Sequence, residues 1–177
     1  MLTNNFYKML YTGMTKKTLT NEIVTTTNNA QNSAFDSPNY GMPSFNYYLF
    51  TSFFSKTVST STSDKNVVAF GTGSTPPSVD DYWLSGDLIT GISIVAQGIT
   101  RANTEGGVGF TSKLTVENTG SDTIVINEMA IIARCFYNAS SYDGPAMVDR
   151  TVLDTPLTLA PGEQGTIDYT FNIPIVQ

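Results

Sequence analysis

The sequence predicts an all-β fold: an antiparallel β-sandwich, jelly-roll or immunoglobulin-like, over residues 41–177, preceded by an N-terminal arm over residues 1–40. Three observations predict it. Residues 108–117 and 166–173 alternate apolar and polar side chains, the period of a strand with one covered face. Turn signals separate such segments, as at Asn118-Thr119-Gly120-Ser121-Asp122 and Ala160-Pro161-Gly162. After residue 20 no stretch sustains a helical period beyond two turns.

The elements follow in chain order. Residues 5–14 hold a short helix signal, with Phe6, Met9 and Leu10 on one side, and residues 18–37 are Thr- and Asn-rich without any sustained period. Together they make the arm. If it serves assembly, deleting residues 1–37 weakens association more than it weakens the fold.

Residues 44–54 are a strand on aromatic content. Phe45, Tyr47, Leu49 and Phe53 share one face, and Tyr48, Phe50 and Phe54 share the other. Two apolar faces fit a central strand, or a strand whose outer face docks a neighbouring subunit. Eleven of the 20 aromatic residues fall in residues 1–56, and aromatic rings are enriched in interface cores. The candidate interface residues are therefore Phe6, Tyr7, Phe45, Tyr47, Tyr48, Phe50, Phe53 and Phe54.

Further strands are expected at residues 66–70 and at 88–100, the latter broken by Gly91 and Gly98. Residues 108–117 carry Val108, Phe110, Leu114 and Val116 on the covered face. Residues 123–137 are apolar on both parities and too long to run straight, so a bulge is expected near Asn127-Glu128. A loop over 138–145 leads to one or two short strands around Pro156 within 148–159. The last strand, 166–173, turns Ile167, Tyr169, Phe171 and Ile173 inward.

Composition narrows the chemistry. The 177 residues contain no histidine and one cysteine, Cys135. That removes Ser-His-Asp and Cys-His catalysis, His-ligated zinc, and any disulfide within the chain. Net charge is −6. Residues 1–60 have four lysines against Glu22 and Asp36, whereas the rest has five bases against thirteen acids. No positive footprint for nucleic acid exists. No apolar run is long enough to insert into a membrane as a helix. No cofactor motif and no enzyme signature emerges.

Several local patterns invite chemistry and are better explained as turns. Gly71-Thr72-Gly73-Ser74 is followed by Pro76-Pro77, not by the Gly-Lys-Ser/Thr and helix of a phosphate loop. Glu105-Gly106-Gly107 lacks the strand–helix context of a dinucleotide site. Asp80, Asp81 and Asp87 could bind a cation through oxygen but lack EF-hand spacing. Asp143, Asp149 and Asp154 could form the carboxylate pair of a glycosidase, but they read better as surface acids at strand ends. Trp83 and Cys135 fit core packing. Glu128 stands apart as an acid inside an apolar strand; Arg134 and Arg150 are its candidate partners in a structural ion pair.

Three stretches together resemble a known family. They are Gly71-Thr72-Gly73 with Pro76-Pro77 and Asp81-Tyr82-Trp83-Leu84; Thr123-Ile124-Val125-Ile126-Asn127-Glu128-Met129-Ala130; and Asp149-Arg150-Thr151-Val152-Leu153 with Pro156, Leu159, Pro161-Gly162-Glu163 and Tyr169. In this order, across residues 67–173, the chain resembles virion structural proteins of tailed bacteriophages and prophages. Met129-Ala130 departs from the apolar-Gly pair usual there. The resemblance implies a structural subunit of the tail, neck or baseplate, partnered by copies of itself and other virion proteins and located in the virion. A head decoration or head-fibre role is the nearest alternative. A different class is a carbohydrate- or receptor-binding β-sandwich module with a host-surface glycan as partner, for which nine tyrosines and Trp83 supply stacking surfaces. Exposed aromatics at loop tips favour it.

Overall fold

The computed structural model describes residues 1–3, 5–7, 19–24, 26, 30–33, 55–104, 107–136 and 143–174. Among them the strands are β1 (Leu19–Val24), β2 (Ala30–Ser33), β3 (Val67–Gly71), β4 (Ile92–Thr104), β5 (Gly107–Asn118), β6 (Ile124–Phe136), β7 (Asp143–Leu159) and β8 (Gln164–Pro174). Helix among the described residues is confined to 5–7. β1 and β2 pair as a two-stranded ribbon, and the other six strands form two antiparallel sheets, ordered β3-β6-β7 and β4-β5-β8. The chain is therefore all-β, as its alternation predicts. The expected strand over residues 44–54, with Phe45, Tyr47, Tyr48, Phe50, Phe53 and Phe54, lies outside the described residues.

One apolar cluster draws on both sheets. Val68, Phe70, Ile126, Met129, Ile131 and Val148 come from the first, and Ile94, Leu114, Val116, Ile167, Tyr169 and Phe171 from the second. β5 and β8 behave as their periods predict: Leu114, Val116, Ile167, Tyr169 and Phe171 are buried, while Lys113, Asp168 and Thr170 are exposed. Phe171 stacks on Phe110, ring centroids 5.5 Å apart. The Tyr169 hydroxyl is buried and makes no hydrogen bond among the described residues. Burial, then the charge of nearby Asp149, pushes its ionisation well above the usual range.

β6 is apolar on both parities because both its faces are covered. Its register against β7 slips between Ile126 and Glu128, the bulge expected near Asn127. The slip inverts the alternation. Before it, Ile126 faces the main cluster; after it, Met129, Ile131 and Ala133 do. Ala130 and Ile132 then face a second, smaller cluster with Val67, Ala69, Leu84 and Met147, against which Trp83 and Leu88 pack.

Two strands differ from expectation. Gly91 precedes β4 at φ 72, a left-handed conformation that favours glycine. Gly98, expected to break the strand, sits inside it opposite Lys113; the irregularity comes earlier, between Ile94 and Ala96. β7 is a single strand of 17 residues, beginning inside the expected loop and running past Pro156. Register shows how: Ile126 faces Leu157 while Glu128 faces Val152, so residues 153–156 bulge away from the β6 ladder. Proline is tolerated there because no amide donor is required of it.

The described residues at the start of the chain pack against β7. Leu2 forms an antiparallel bridge with Asp149. The Thr3 amide donates to the Val148 carbonyl at 3.0 Å, and the Arg150 amide donates to the Met1 carbonyl at 3.1 Å. The Thr3 hydroxyl and the Asn5 side-chain amide both donate to the Met147 carbonyl, at 2.7 and 3.1 Å. Residues 1–3 thus extend the first sheet beyond β7, and Phe6 enters the main cluster fully buried. Phe6, a candidate interface residue in the sequence, is enclosed by its own chain here. Tyr7, set edge-on to Phe6, remains 43% exposed. Residues 1–3 and 5–7 pack on the folded body, so the expected deletion of residues 1–37 would strike the fold as well as any assembly.

Phe6→Ala is expected to lower stability by about 3–5 kcal/mol, the loss for emptying an aromatic site in a core. A denaturant titration checks this; a change within error would place the segment outside the body. Tyr169→Ala is expected to cost a similar ~3–5 kcal/mol. Tyr169→Phe should stay within about 1 kcal/mol in the same assay, because the hydroxyl contributes no net bond.

Candidate functional site

The densest polar cluster is buried, and two bulges build it. The slip at Asn127 turns Glu128 toward the face of Ala130 and Ile132. A second slip, between Ile131 and Ile132, inverts β7 at Val148, so that Arg150, opposite Ala130, shares that face. Glu128 faces Val152, so Glu128 and Arg150 are diagonal cross-strand neighbours. Both are almost fully buried, at 0% and 1% exposure.

Residues 72–87 fold over this pair and supply what it lacks. Glu128 Oε1 accepts from the amides of Gly73 at 2.9 Å and Gly86 at 2.8 Å. Its Oε2 accepts from the Ser85 amide at 3.1 Å, the Ser85 hydroxyl at 3.2 Å and Arg150 Nε at 2.6 Å. Arg150 also donates through Nη1 to Asp81 Oδ2 at 2.7 Å, and through Nη2 to the Thr75 carbonyl at 2.7 Å and Ser85 Oγ at 2.6 Å. Unpaired, either charge would be strongly unfavourable in this interior.

The glycines are steric necessities. A Cβ on Gly73 would lie 2.0 Å from Ser85 Oγ and 2.3 Å from Glu128 Oε1, and one on Gly86 would lie 2.3 Å from the Gly73 nitrogen. No side chain fits where two backbones close on one carboxylate.

Burial acts to raise the Glu128 pKa. The Ser85 and Gly86 amides and the Arg150 guanidinium outweigh it, so the carboxyl is held below its usual range. For Arg150, burial opposes the charge, while bonds to Asp81 and Glu128 raise its pKa above the ordinary value. Both stay ionised at neutral pH. Every oxygen of Glu128 is occupied by donors, which is the environment of a brace and not of a proton acceptor.

The remaining candidates separate. Of the two arginines, Arg150 is the partner of Glu128; Arg134 sits further along β6, where its amide donates to Asn66 Oδ1 at 3.0 Å. Asp149, the neighbour of Arg150, points the other way: it is buried, with Oδ1 3.2 Å from the Met1 ammonium. Asp154 is exposed in the β7 bulge, and of the Asp143 side chain nothing is described. Asp81 is engaged by Arg150 and by the Ser78 amide at 2.8 Å. No group of three or more potential ligands is placed to hold a metal ion among the described residues. Sequence reasoning missed the amide donors of Gly73, Ser85 and Gly86, because backbone groups carry no sequence label; the two glycines were the available signal.

Glu128→Gln is expected to lower stability at neutral pH by roughly 3–5 kcal/mol, the loss on breaking a buried pair from one side. The acid side has a definite sign. A depressed folded pKa gives Glu128 a contribution that is complete above its unfolded pKa of about 4.3 and lost as pH falls through the lower folded value. Stability of the natural chain should therefore fall more steeply in that acid range than that of Glu128→Gln. Urea midpoints across pH check both; parallel pH curves would contradict the assignment.

Three separate stretches of sequence thus meet at one place: residues 71–84 contribute Gly73 and Asp81, residues 123–130 Glu128 and residues 149–153 Arg150. In comparisons of the chain with family models, with curated proteins and with solved structures, nothing matches.

Proposed function

We propose that this chain is a non-enzymatic structural subunit of a tailed-bacteriophage virion, placed at the tail, neck or baseplate and assembling with copies of itself and with other virion proteins. In this reading the two sheets stack as a β-sandwich. The motifs that carry the resemblance are spent on the Glu128–Arg150 brace, which fixes a loop and leaves its carboxylate saturated. A sequence signature devoted to architecture suits a protein whose product is a shape.

The observation that carries the assembly half is the contrast between sheet edges. In β3-β6-β7 both outer edges are covered over part of their length by the chain itself. Residues 57–59 line β3, with Val68 donating to the Thr57 carbonyl at 2.9 Å and Ser59 donating to the Val68 carbonyl at 2.8 Å. Residues 1–3 line β7. In β4-β5-β8, no described strand pairs with the outer edge of β4. β4 carries a single charge, Arg101, and no proline, and it exposes Val95 at 44% and Ile99 at 46%. Lone edges are ordinarily blunted by charge or proline; an edge with one charge, no proline and exposed apolar side chains suits pairing with another chain. The acidic surface and absent basic footprint support a role without nucleic acid, and among the described residues no helix is long and apolar enough to cross a membrane.

Virions purified from the genome that encodes this chain should contain it in many copies. Ile99→Lys should lower its incorporation while leaving the melting temperature of the isolated chain unchanged. Quantitative mass spectrometry of particles measures the first and calorimetry the second. Particles lacking the chain, or undiminished incorporation of the variant, would contradict the proposal.

A further inference from the structure

We infer that a small cleft beside the brace, walled by Asp81, Tyr82 and Trp83, is a binding site for a single neutral pyranose, such as the terminal sugar of a surface glycan. The cleft has a volume of about 230 Å³ and is floored by Arg150 and Ser85. That is below the ~300 Å³ at which pockets for drug-sized ligands begin. It has room for one ring and not for an extended oligosaccharide in its depth.

Its walls are set before any ligand arrives. Trp83 is half-buried, held from behind by the second apolar cluster. Tyr82 beside it is 37% exposed. This pair offers a fixed aromatic surface next to a freely exposed one, on which the C–H face of a sugar ring stacks at little conformational cost. Asp81 is pinned through Oδ2 alone, by Arg150 at 2.7 Å and the Ser78 amide at 2.8 Å. Oδ1 accepts from no described residue. A carboxylate held rigid with one oxygen free, partly exposed at 23%, is a prepared acceptor for a sugar hydroxyl, a charge-assisted bond stronger than a neutral one.

Charge selects among sugars. Asp80 and Asp81 line the cleft, and the guanidinium of Arg150 is already engaged by Glu128 and Asp81. The local field is negative, so sialylated, uronic or phosphorylated glycans are disfavoured. The inference stands on the cleft alone and holds whether or not the chain is a virion component.

The test is a ¹H–¹⁵N NMR titration of the full chain with the methyl pyranosides of glucose, galactose, mannose and N-acetylglucosamine, with methyl glucuronide and calcium chloride as controls. At least one neutral pyranoside should give saturable shifts confined to the amides of residues 81–85 and the Trp83 indole. Tyr82→Ala, an exposed change that spares the fold, should weaken its affinity at least about tenfold. Asp81→Asn should weaken it comparably. No saturable shift with any neutral pyranoside, a response to calcium or glucuronide alone, or unchanged affinity in Tyr82→Ala would each overturn the assignment.

Discussion

The structure turns on one carboxylate. Glu128 is enclosed by protein, and five donors converge on it: three loop amides, one hydroxyl and one guanidinium. An ion so placed is tolerable only when all its bonds are made. Residues 72–87 therefore have little freedom: the chain must bring Gly73, Ser85 and Gly86 to one point, with glycine at two of the three. Leu84 and Trp83 follow, because the same loop lays them over Ala130, Ile132 and Met147. One polar constraint thus also closes the second apolar cluster, and with it the outer face of β6.

The bulges make that constraint possible. An unbroken alternation cannot place Ile126 and Met129 on one face of β6, with Glu128 on the other. One slipped residue on β6, and another on β7 at Val148, put both charges on the face the loop covers. The same β7 slip leaves Asp149 on the main-core side, where it meets the Met1 ammonium and lies near Tyr169. Adjacent residues Asp149 and Arg150 thereby serve different networks on opposite faces of one strand.

Much of this was legible in the sequence where a period of two persists. β5 and β8 alternate without interruption, and their buried side chains follow. The bulge in β6 was legible because a strand of its length cannot keep both parities apolar and remain straight. The Glu128 ion pair was legible in kind but not in partner, since choosing Arg150 over Arg134 requires the inter-strand register. Three things left no local trace. The leading segment is too short to show a period, and what docks its described residues is backbone pairing of residues 1–3 to β7 and one ring, Phe6. The passage of β7 through Pro156 depends on a multi-residue bulge that only the partner strand reveals. The loop amides around Glu128 are chemically identical to every other amide in the chain, so only Gly73 and Gly86 hinted at them.

Native-state hydrogen exchange at Gly73, Ser85 and Gly86 tests the central claim most directly. All three amides lie in a loop, yet each donates to a buried carboxylate. They should exchange as slowly as the amides of β6, and lose that protection together when Glu128 is replaced. Exchange at rates ordinary for an exposed loop, or protection that survives the loss of Glu128, would show that the carboxylate does not organise the fold around it.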